Sequence, residues 1–313
     1  MLANLIACLD AVLPIFILIL LGYWAKCLGM LNREDVRKLN KVLFRFFMPV
    51  MLFYSIYSSD LSLAVQPKLI VYAMACTLLI FFAALLAVVK WEPERRRRGV
   101  IVQGLFRSNL VVIGLPVVQS LMGAENTGPV VLLIATVVPL FNVLAVIILE
   151  YYGGDRTRPA QLLLDILKNP LILGSVAGLL ALAVGLKLPL PLETAARQMN
   201  QTASPMLLFL LGAFLEPSGL RRDRRAVLLI STIRLVLIPA VTLIPAALLG
   251  FRGVALASLL PVFASSTAVN SFTMAQQMGG DAELAGNIVV ATSALCSLTL
   301  FLWCFLFKSL GLF

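Results

Sequence analysis

The stretch Arg107–Gly123, RSNLVVIGLPVVQSLMG, decides how this chain folds, because it is apolar enough to cross a membrane yet carries Asn109, Gly114 and Pro116 near its middle. Proline removes a backbone donor and glycine loosens a helix, whereas in hydrocarbon every backbone N–H and C=O needs a partner. An interruption of this kind is tolerated where protein or a wet cavity supplies the partners. We therefore predict a broken helix at a binding site, with Gly114 and Pro116 making the break.

A second interrupted stretch lies in the other half of the chain, at Leu260–Gly279, LPVFASSTAVNSFTMAQQMG. Its polar and helix-breaking residues are Pro261, Ser265, Ser266, Thr267 and Asn270. Pro261 is the predicted helix breaker of this stretch. Two broken helices in matching positions of two halves are typical of the site of a secondary transporter.

The composition excludes a soluble globular domain. The chain is 61% hydrophobic and 13% charged, with a mean hydropathy of +1.00, whereas soluble domains are about 45–50% apolar and about 25% charged. We predict an all-α polytopic membrane protein. The net charge of +10 comes from basic residues scattered between apolar spans, which indicates membrane orientation and no nucleic-acid partner.

The residues of the chain indicate neither catalysis nor metal binding. The chain has no histidine, and its five cysteines show no CxxC spacing. No Ser-His pair, zinc motif or mid-span carboxylate is visible. We therefore predict that the protein is not an enzyme and needs no metal and no cofactor.

Ten spans can be drawn, at about 5–25, 38–58, 68–90, 99–122, 128–152, 168–187, 203–217, 226–249, 253–278 and 284–307. Lys and Arg concentrate between spans one and two, three and four, five and six, and seven and eight. By the positive-inside rule these loops are cytoplasmic and both termini are extracytoplasmic. The loop before the last span carries Asp281 and Glu283 and no basic residue, so it departs from this pattern.

A weak internal repeat divides the chain. Several residue types recur at a separation of 156 residues: Pro14 and Pro170, Gly22 and Gly178, Pro49 and Pro205, Leu52 and Leu208, Phe53 and Phe209, and Met122-Gly123 and Met278-Gly279. Five spans per half place the halves in opposite orientations. We predict a first five-helix repeat at 1–152, a short cytoplasmic connection at 153–167 and a second, inverted repeat at 168–313.

Three segments resemble the auxin efflux carrier family, which includes bacterial malate- and malonate-type permeases and the plant PIN proteins. They are SNLVVIGLP (108–116) followed by LMG (121–123), LKNPLILGSVAGLL (167–180) and AVNSFTMAQQMGGDAELAGNIVVATS (268–293). The likeness extends over essentially the whole chain. One departure is that many bacterial members have two prolines where this chain has Ser266 and Thr267.

The resemblance implies an inverted five-plus-five fold in a bacterial inner membrane, in which spans four and nine unwind and cross near the bilayer midplane. Spans one, two, six and seven would form a scaffold that dimerises, and spans three to five and eight to ten a mobile transport domain. This arrangement is elevator-like, and the expected partners are a small organic anion, the lipid bilayer and a second copy of the chain.

The candidate binding residues are Arg107, Asn109, Ser265, Ser266, Thr267 and Asn270. The N-terminus of a half-helix holds an anion without a protein cation, and carboxamides add donors and acceptors. Two uses remain open for each group: Asn109 and Asn270 either contact substrate or satisfy freed backbone, and the hydroxyls either contact substrate or bond back to helix carbonyls. Arg107 either attracts an anion or extends toward the interface, and nothing in the sequence near Arg234 indicates a site.

Our principal hypothesis is therefore a secondary transporter of small organic anions, carboxylates or auxin-like acids, that works by alternating access at the crossing of spans four and nine. One alternative is a sodium-coupled organic-anion symporter of the bile-acid type, which shares the inverted plan. Another is a membrane receptor or scaffold that binds an anion without moving it.

Overall fold

The computed structural model describes residues 2–58, 66–153, 164 and 166–313, which fold into helices joined by short connections. We number the main helices α1 to α10 and mark the halves of an interrupted helix a and b. The first half contains α1 (Leu2–Cys27), α2 (Arg33–Tyr57), α3 (Pro67–Trp91), α4a (Arg95–Phe106), α4b (Leu110–Met122) and α5 (Gly128–Gly153). The second half contains α6 (Pro170–Ala183), α7 (Leu190–Phe214), α8 (Arg224–Leu248), α9a (Gly253–Ala264), α9b (Asn270–Gln277) and α10 (Ala282–Ser309). Most of the predicted connection at 153–167 lies outside the described residues.

Five of the described helices, α2, α3, α5, α8 and α10, are long and apolar enough to cross a membrane. Shorter apolar helices lie at Leu13–Cys27, Leu110–Met122, Pro170–Ala183 and Gly253–Ala264. The protein is therefore an all-helical, multi-pass membrane protein.

Helix α7 differs from the span predicted at 203–217. It begins at Leu190 and continues to Phe214, so the predicted span covers little more than its second half. The first half, LPLETAARQMNQ, is polar, so a prediction based on apolar residues places the start of this helix too late along the chain.

Three helices contain a wide π-helical turn, at Leu43–Phe47 in α2, Leu110–Gly114 in α4b and Ile233–Leu237 in α8. Each turn ends two residues before a proline, namely Pro49, Pro116 and Pro239. Proline lacks an N–H and clashes with the carbonyl four residues earlier, and a local π turn relieves that clash. These prolines are therefore accommodated without breaking their helices.

Two close helix contacts are made by residues that correspond to each other at the sequence offset of 156. Helix α1 packs along α7 and α2 packs along α6. A Cβ on Gly22 of α1 would collide with the carbonyl oxygen of Phe209 on α7, and a Cβ on Gly178 of α6 would lie 2.8 Å from the carbonyl oxygen of Phe53 on α2. Because Gly22 and Phe53 correspond to Gly178 and Phe209, the offset converts one contact into the other.

Two ionic clusters each join a different set of helices. Lys26 and Arg33 contact Glu216 at 3.2 and 3.1 Å, linking α1 and α2 to the end of α7, and the hydrogen bond from Lys26 lowers the pKa of Glu216. Arg97 at the start of α4a contacts Asp223 at 2.9 Å and Asp281 at 3.4 Å. The acidic loop before α10 therefore lies beside the arginine-rich start of α4a, which supplies the positive charge that this loop lacks.

Candidate functional site

The two interrupted helices cross at their breaks. Helix α4 is non-helical at 107–109 and α9 at 265–269, and Ser108 pairs with Thr267 in an antiparallel bridge. The backbone N–H of Asn109 donates to the carbonyl of Ser266 at 2.9 Å, and that of Ala268 donates to the carbonyl of Arg107 at 3.2 Å. Each break therefore supplies backbone partners for the other, as the membrane interior requires.

The structure places the breaks away from the residues to which the sequence assigns them. Gly114 ends the π turn of α4b, and Pro116 lies in the following α-helical turn. Pro261 lies inside α9a, which continues to Ala264. The two extended segments supply hydrogen-bond partners for each other's backbone, so each helix is interrupted where the segments meet.

A cavity of about 230 Å³ lies beside the crossing, between α2 and α7 on one side and α4, α5 and α9 on the other. Its polar lining consists of Ser55, Arg107, Ser108, Asn109, Asn142, Asn200, Gln201, Ser204 and Asn270. None of the described residues lining this cavity is acidic. The site is therefore concave, partly polar and positively charged.

Of the six candidate binding residues, Arg107, Asn109 and Asn270 line the cavity, whereas Ser265, Ser266 and Thr267 do not. The Thr267 hydroxyl donates to the carbonyl of Gly104 at 2.8 Å. The carbonyl of Ser266 accepts from Asn109, and that of Ser265 accepts from Arg234. The carbonyls of Ser265 and Ser266 and the Thr267 hydroxyl therefore bond to the protein around the break, whereas the hydroxyls of Ser265 and Ser266 have no partner among the described residues.

Arg107 is the cation of the cavity. The residue is 2% exposed, and its guanidinium donates to Asn142 Oδ1 at 2.5 Å and to Met274 Sδ at 2.6 Å. No carboxylate lies within salt-bridge distance of it in the part of the chain that the structure describes. A buried charge without a counter-ion is costly, and an anion in the cavity would supply one.

Unpaired amide groups surround Arg107. A guanidinium only donates hydrogen bonds, so Asn142 presents its oxygen to Arg107 and leaves its amide nitrogen free. Among the described residues that line the cavity, the side-chain nitrogens of Asn109 and Asn142, the hydroxyl of Ser108 and the acceptor Asn270 Oδ1 have no hydrogen-bond partner. With the hydroxyl counted as a donor, three unpaired donors of the cavity stand against one unpaired acceptor, a balance that suits recognition of a carboxylate.

The opposite wall of the cavity was not anticipated from the sequence. Asn200, Gln201 and Ser204 lie on α7, and Asn200 accepts a hydrogen bond of 3.3 Å from Ser55 on α2. Asn200 and Gln201 precede the predicted span at 203–217, so the sequence prediction places them outside the membrane. Polar residues directly before an apolar run could have revealed them, because a helix continues through both.

Arg234, the other cation well inside a predicted span, also lies at the crossing, although no residue near it in the sequence indicates a site. It is completely buried, and it donates to the carbonyls of Ser265, Leu105 and Val262 at 3.1, 3.0 and 3.3 Å. It does not line the cavity. The two buried arginines therefore have different surroundings: Arg107 faces the cavity, and Arg234 faces the backbone behind it.

Comparison with known proteins places this architecture in a family. A family model described as "Membrane transport protein" matches residues 7–304. The chain is 24% identical to an "Uncharacterized transporter" of Methanothermobacter thermautotrophicus, over 94% of this chain and 96% of the relative. It is 25% identical to a "Putative malonate transporter" of Rhizobium meliloti, over 91% of each. Since the family match covers nearly the whole chain, this protein belongs to the membrane transport protein family, which is the auxin efflux carrier family.

Proposed function

We propose that this protein is a secondary transporter of small organic anions, with its substrate site in the cavity beside the crossing of α4 and α9. The observation that carries the proposal is Arg107, a buried cation without a carboxylate partner among the described residues, surrounded by unpaired amide donors. The similarity to a protein named as a putative malonate transporter favours a small dicarboxylate as the first substrate to test.

The reciprocal contacts support an inverted five-plus-five repeat. The offset of 156 exchanges the contact of Gly22 with Phe209 for that of Gly178 with Phe53. Two hydrogen bonds at the crossing are related in the same way, by an offset of 159 residues. Asn109 and Arg107 correspond to Ala268 and Ser266, so the bond from Asn109 to Ser266 corresponds to the bond from Ala268 to Arg107. These exchanges are what a two-fold axis through the crossing would produce.

The packing also favours alternating access between two groups of helices. The cavity has one wall on α2 and α7 and the other on α4, α5 and α9. One ionic cluster links α1, α2 and α7, and the other links the cytoplasmic ends around α4a. We therefore propose a scaffold of α1, α2, α6 and α7, which dimerises, and a transport domain of α3–α5 and α8–α10 that moves against it.

The first test is uptake of radiolabelled malonate, malate, lactate and indole-3-acetate into proteoliposomes containing the purified protein. We expect flux of at least one carboxylate, and we expect Asn109→Ala and Asn270→Ala to abolish that flux without loss of folded protein. Thr77→Val is the matched control, because Thr77 is buried, its hydroxyl has no partner among the described residues, and it does not line the cavity.

Binding measured on the same preparation separates a transporter from a receptor. A ligand that binds only the folded state raises the melting temperature. Binding without flux would favour a receptor or scaffold, and full flux in both asparagine variants would contradict the proposed site.

A further inference from the structure

Arg234 joins the ends of both interrupted helices through their backbone. Its Nη1 donates to the carbonyl of Leu105 in the last turn of α4a, and its Nη2 to the carbonyl of Val262 in the last turn of α9a. Its Nε donates to the carbonyl of Ser265, the residue that follows α9a. The guanidinium therefore lies where the C-terminal ends of two half-helices converge.

The charge of these ends matches that of one arginine. The C-terminus of a helix carries the equivalent of about −0.5 elementary charge. Two such ends directed at one point present about −1, which a guanidinium neutralises. This balance explains how Arg234 is completely buried with no ion pair to a carboxylate in the described residues.

The surroundings hold Arg234 in place. It lies in the π turn Ile233–Leu237, which precedes Pro239. The indole nitrogen of Trp303 on α10 donates to the carbonyl of Leu235 in that turn at 3.1 Å. The contact with α10 therefore holds the turn that carries Arg234.

We propose that Arg234 is a built-in cation of the crossing, which holds α4a and α9a in the arrangement that directs Asn109 and Asn270 into the cavity, so that transport needs no metal cation at this position. Convergent carbonyl oxygens are the ligands that an alkali-metal ion would otherwise find there. Arg234 is a positioning residue, because it contacts backbone and not the cavity. The inference rests on the proposed function for its flux measurements.

The first test is carboxylate flux by the wild-type protein in sodium, potassium or N-methylglucamine buffers. We expect equal flux in all three, because the guanidinium already neutralises the helix ends. A strict requirement for sodium or potassium would overturn the proposal.

The second test removes the cation and restores it from solution. In N-methylglucamine we expect the flux of Arg234→Ala to be at least tenfold lower than that of the wild-type protein. Part of the lost flux should return when millimolar guanidinium or sodium is added. Arg234→Lys should keep more flux than the alanine variant, because an ammonium also donates to carbonyls. Full flux of Arg234→Ala without an added cation, or no recovery with guanidinium and sodium, would overturn the proposal.

Arg252→Ala is the matched control. Arg252 also donates to backbone carbonyls, those of Ala247 and Phe251, but it lies at the start of α9a, far along the chain from the break. We expect it to change neither flux nor cation dependence.

The two proposals fail in different ways. If no carboxylate is bound or moved in any buffer, the proposed function fails. The built-in cation is then still tested by stability, because guanidinium should raise the melting temperature of Arg234→Ala. If Arg234→Ala does not fold, the wild-type cation series and Arg234→Lys decide: cation-independent flux in both supports the proposal, and sodium dependence in wild type contradicts it.

Discussion

Arg107 and Arg234 are both buried arginines at the crossing, yet their partners give them different roles. Arg234 donates to backbone carbonyls, which compensate its charge. Arg107 donates to a neutral amide and a thioether, which orient it but do not neutralise it. At the scale of single residues, the uncompensated arginine is the one expected to bind an anion.

We predict that Arg107→Gln weakens carboxylate binding by about 10- to 100-fold, because hydrogen bonds to charged groups are worth about 1.5–3 kcal/mol. Arg107→Lys should retain part of the affinity through its charge but lose the oriented donors. The measurement is the shift of melting temperature with malonate concentration. Unchanged malonate affinity in Arg107→Gln would remove Arg107 from the site.

The sequence predicts the residue types of the site better than their directions. The sequence marks Arg107, Asn109 and Asn270 as candidate site residues because polar groups inside apolar spans are costly unless they have a use. Ser265, Ser266 and Thr267 satisfy the same rule but face the protein. Which side of an extended segment faces a cavity depends on its tertiary partner, and no local pattern in one sequence specifies that partner.

At the scale of helices, the prolines show the same limit. The sequence correctly marks α4 and α9 as interrupted, but Pro116 and Pro261 lie within helical turns and the breaks lie elsewhere. A π turn accommodates Pro116, whereas pairing between the two chain segments sets the position of the break. Local propensity therefore predicts that a helix is perturbed, and the tertiary contact decides where it ends.

Helix packing provides a prediction at this scale. Gly22→Leu and Gly178→Leu should each destabilise the protein by about 1–3 kcal/mol or more, because a side chain at either position meets a backbone carbonyl that cannot move freely. Thermal unfolding in detergent measures the effect. Ala87→Leu on the exposed face of α3 is the control, and equal stability of all three variants would contradict the close packing of α1 with α7 and of α2 with α6.

At the scale of the whole molecule, Asn40 connects the proposed scaffold to the proposed transport domain. It is completely buried on α2; its amide nitrogen donates to Gln276 Oε1 at 2.7 Å, and its oxygen accepts from the Thr273 hydroxyl at 3.0 Å. Both partners lie on α9b, and the only residue of that helix in the described lining of the cavity is its first, Asn270. In the orientation that the positive-inside rule predicts, with both termini extracytoplasmic, this contact lies on the cytoplasmic side of the crossing. We propose that it closes that side and that the structure corresponds to an outward-facing state.

We therefore predict that Asn40→Ala shifts the equilibrium toward the inward-facing state. Each lost hydrogen bond is worth about 0.5–1.5 kcal/mol, so losing both changes the population ratio by about 5- to 150-fold. The measurement is labelling of a cysteine introduced as Ser271→Cys on α9b, using a membrane-impermeant thiol reagent from the cytoplasmic side, with Cys8, Cys27 and Cys76 replaced by serine. Labelling should increase with Asn40→Ala but not with Thr77→Val, which lies away from this contact. The same labelling rate with and without Asn40 would mean that this contact does not close the cytoplasmic side.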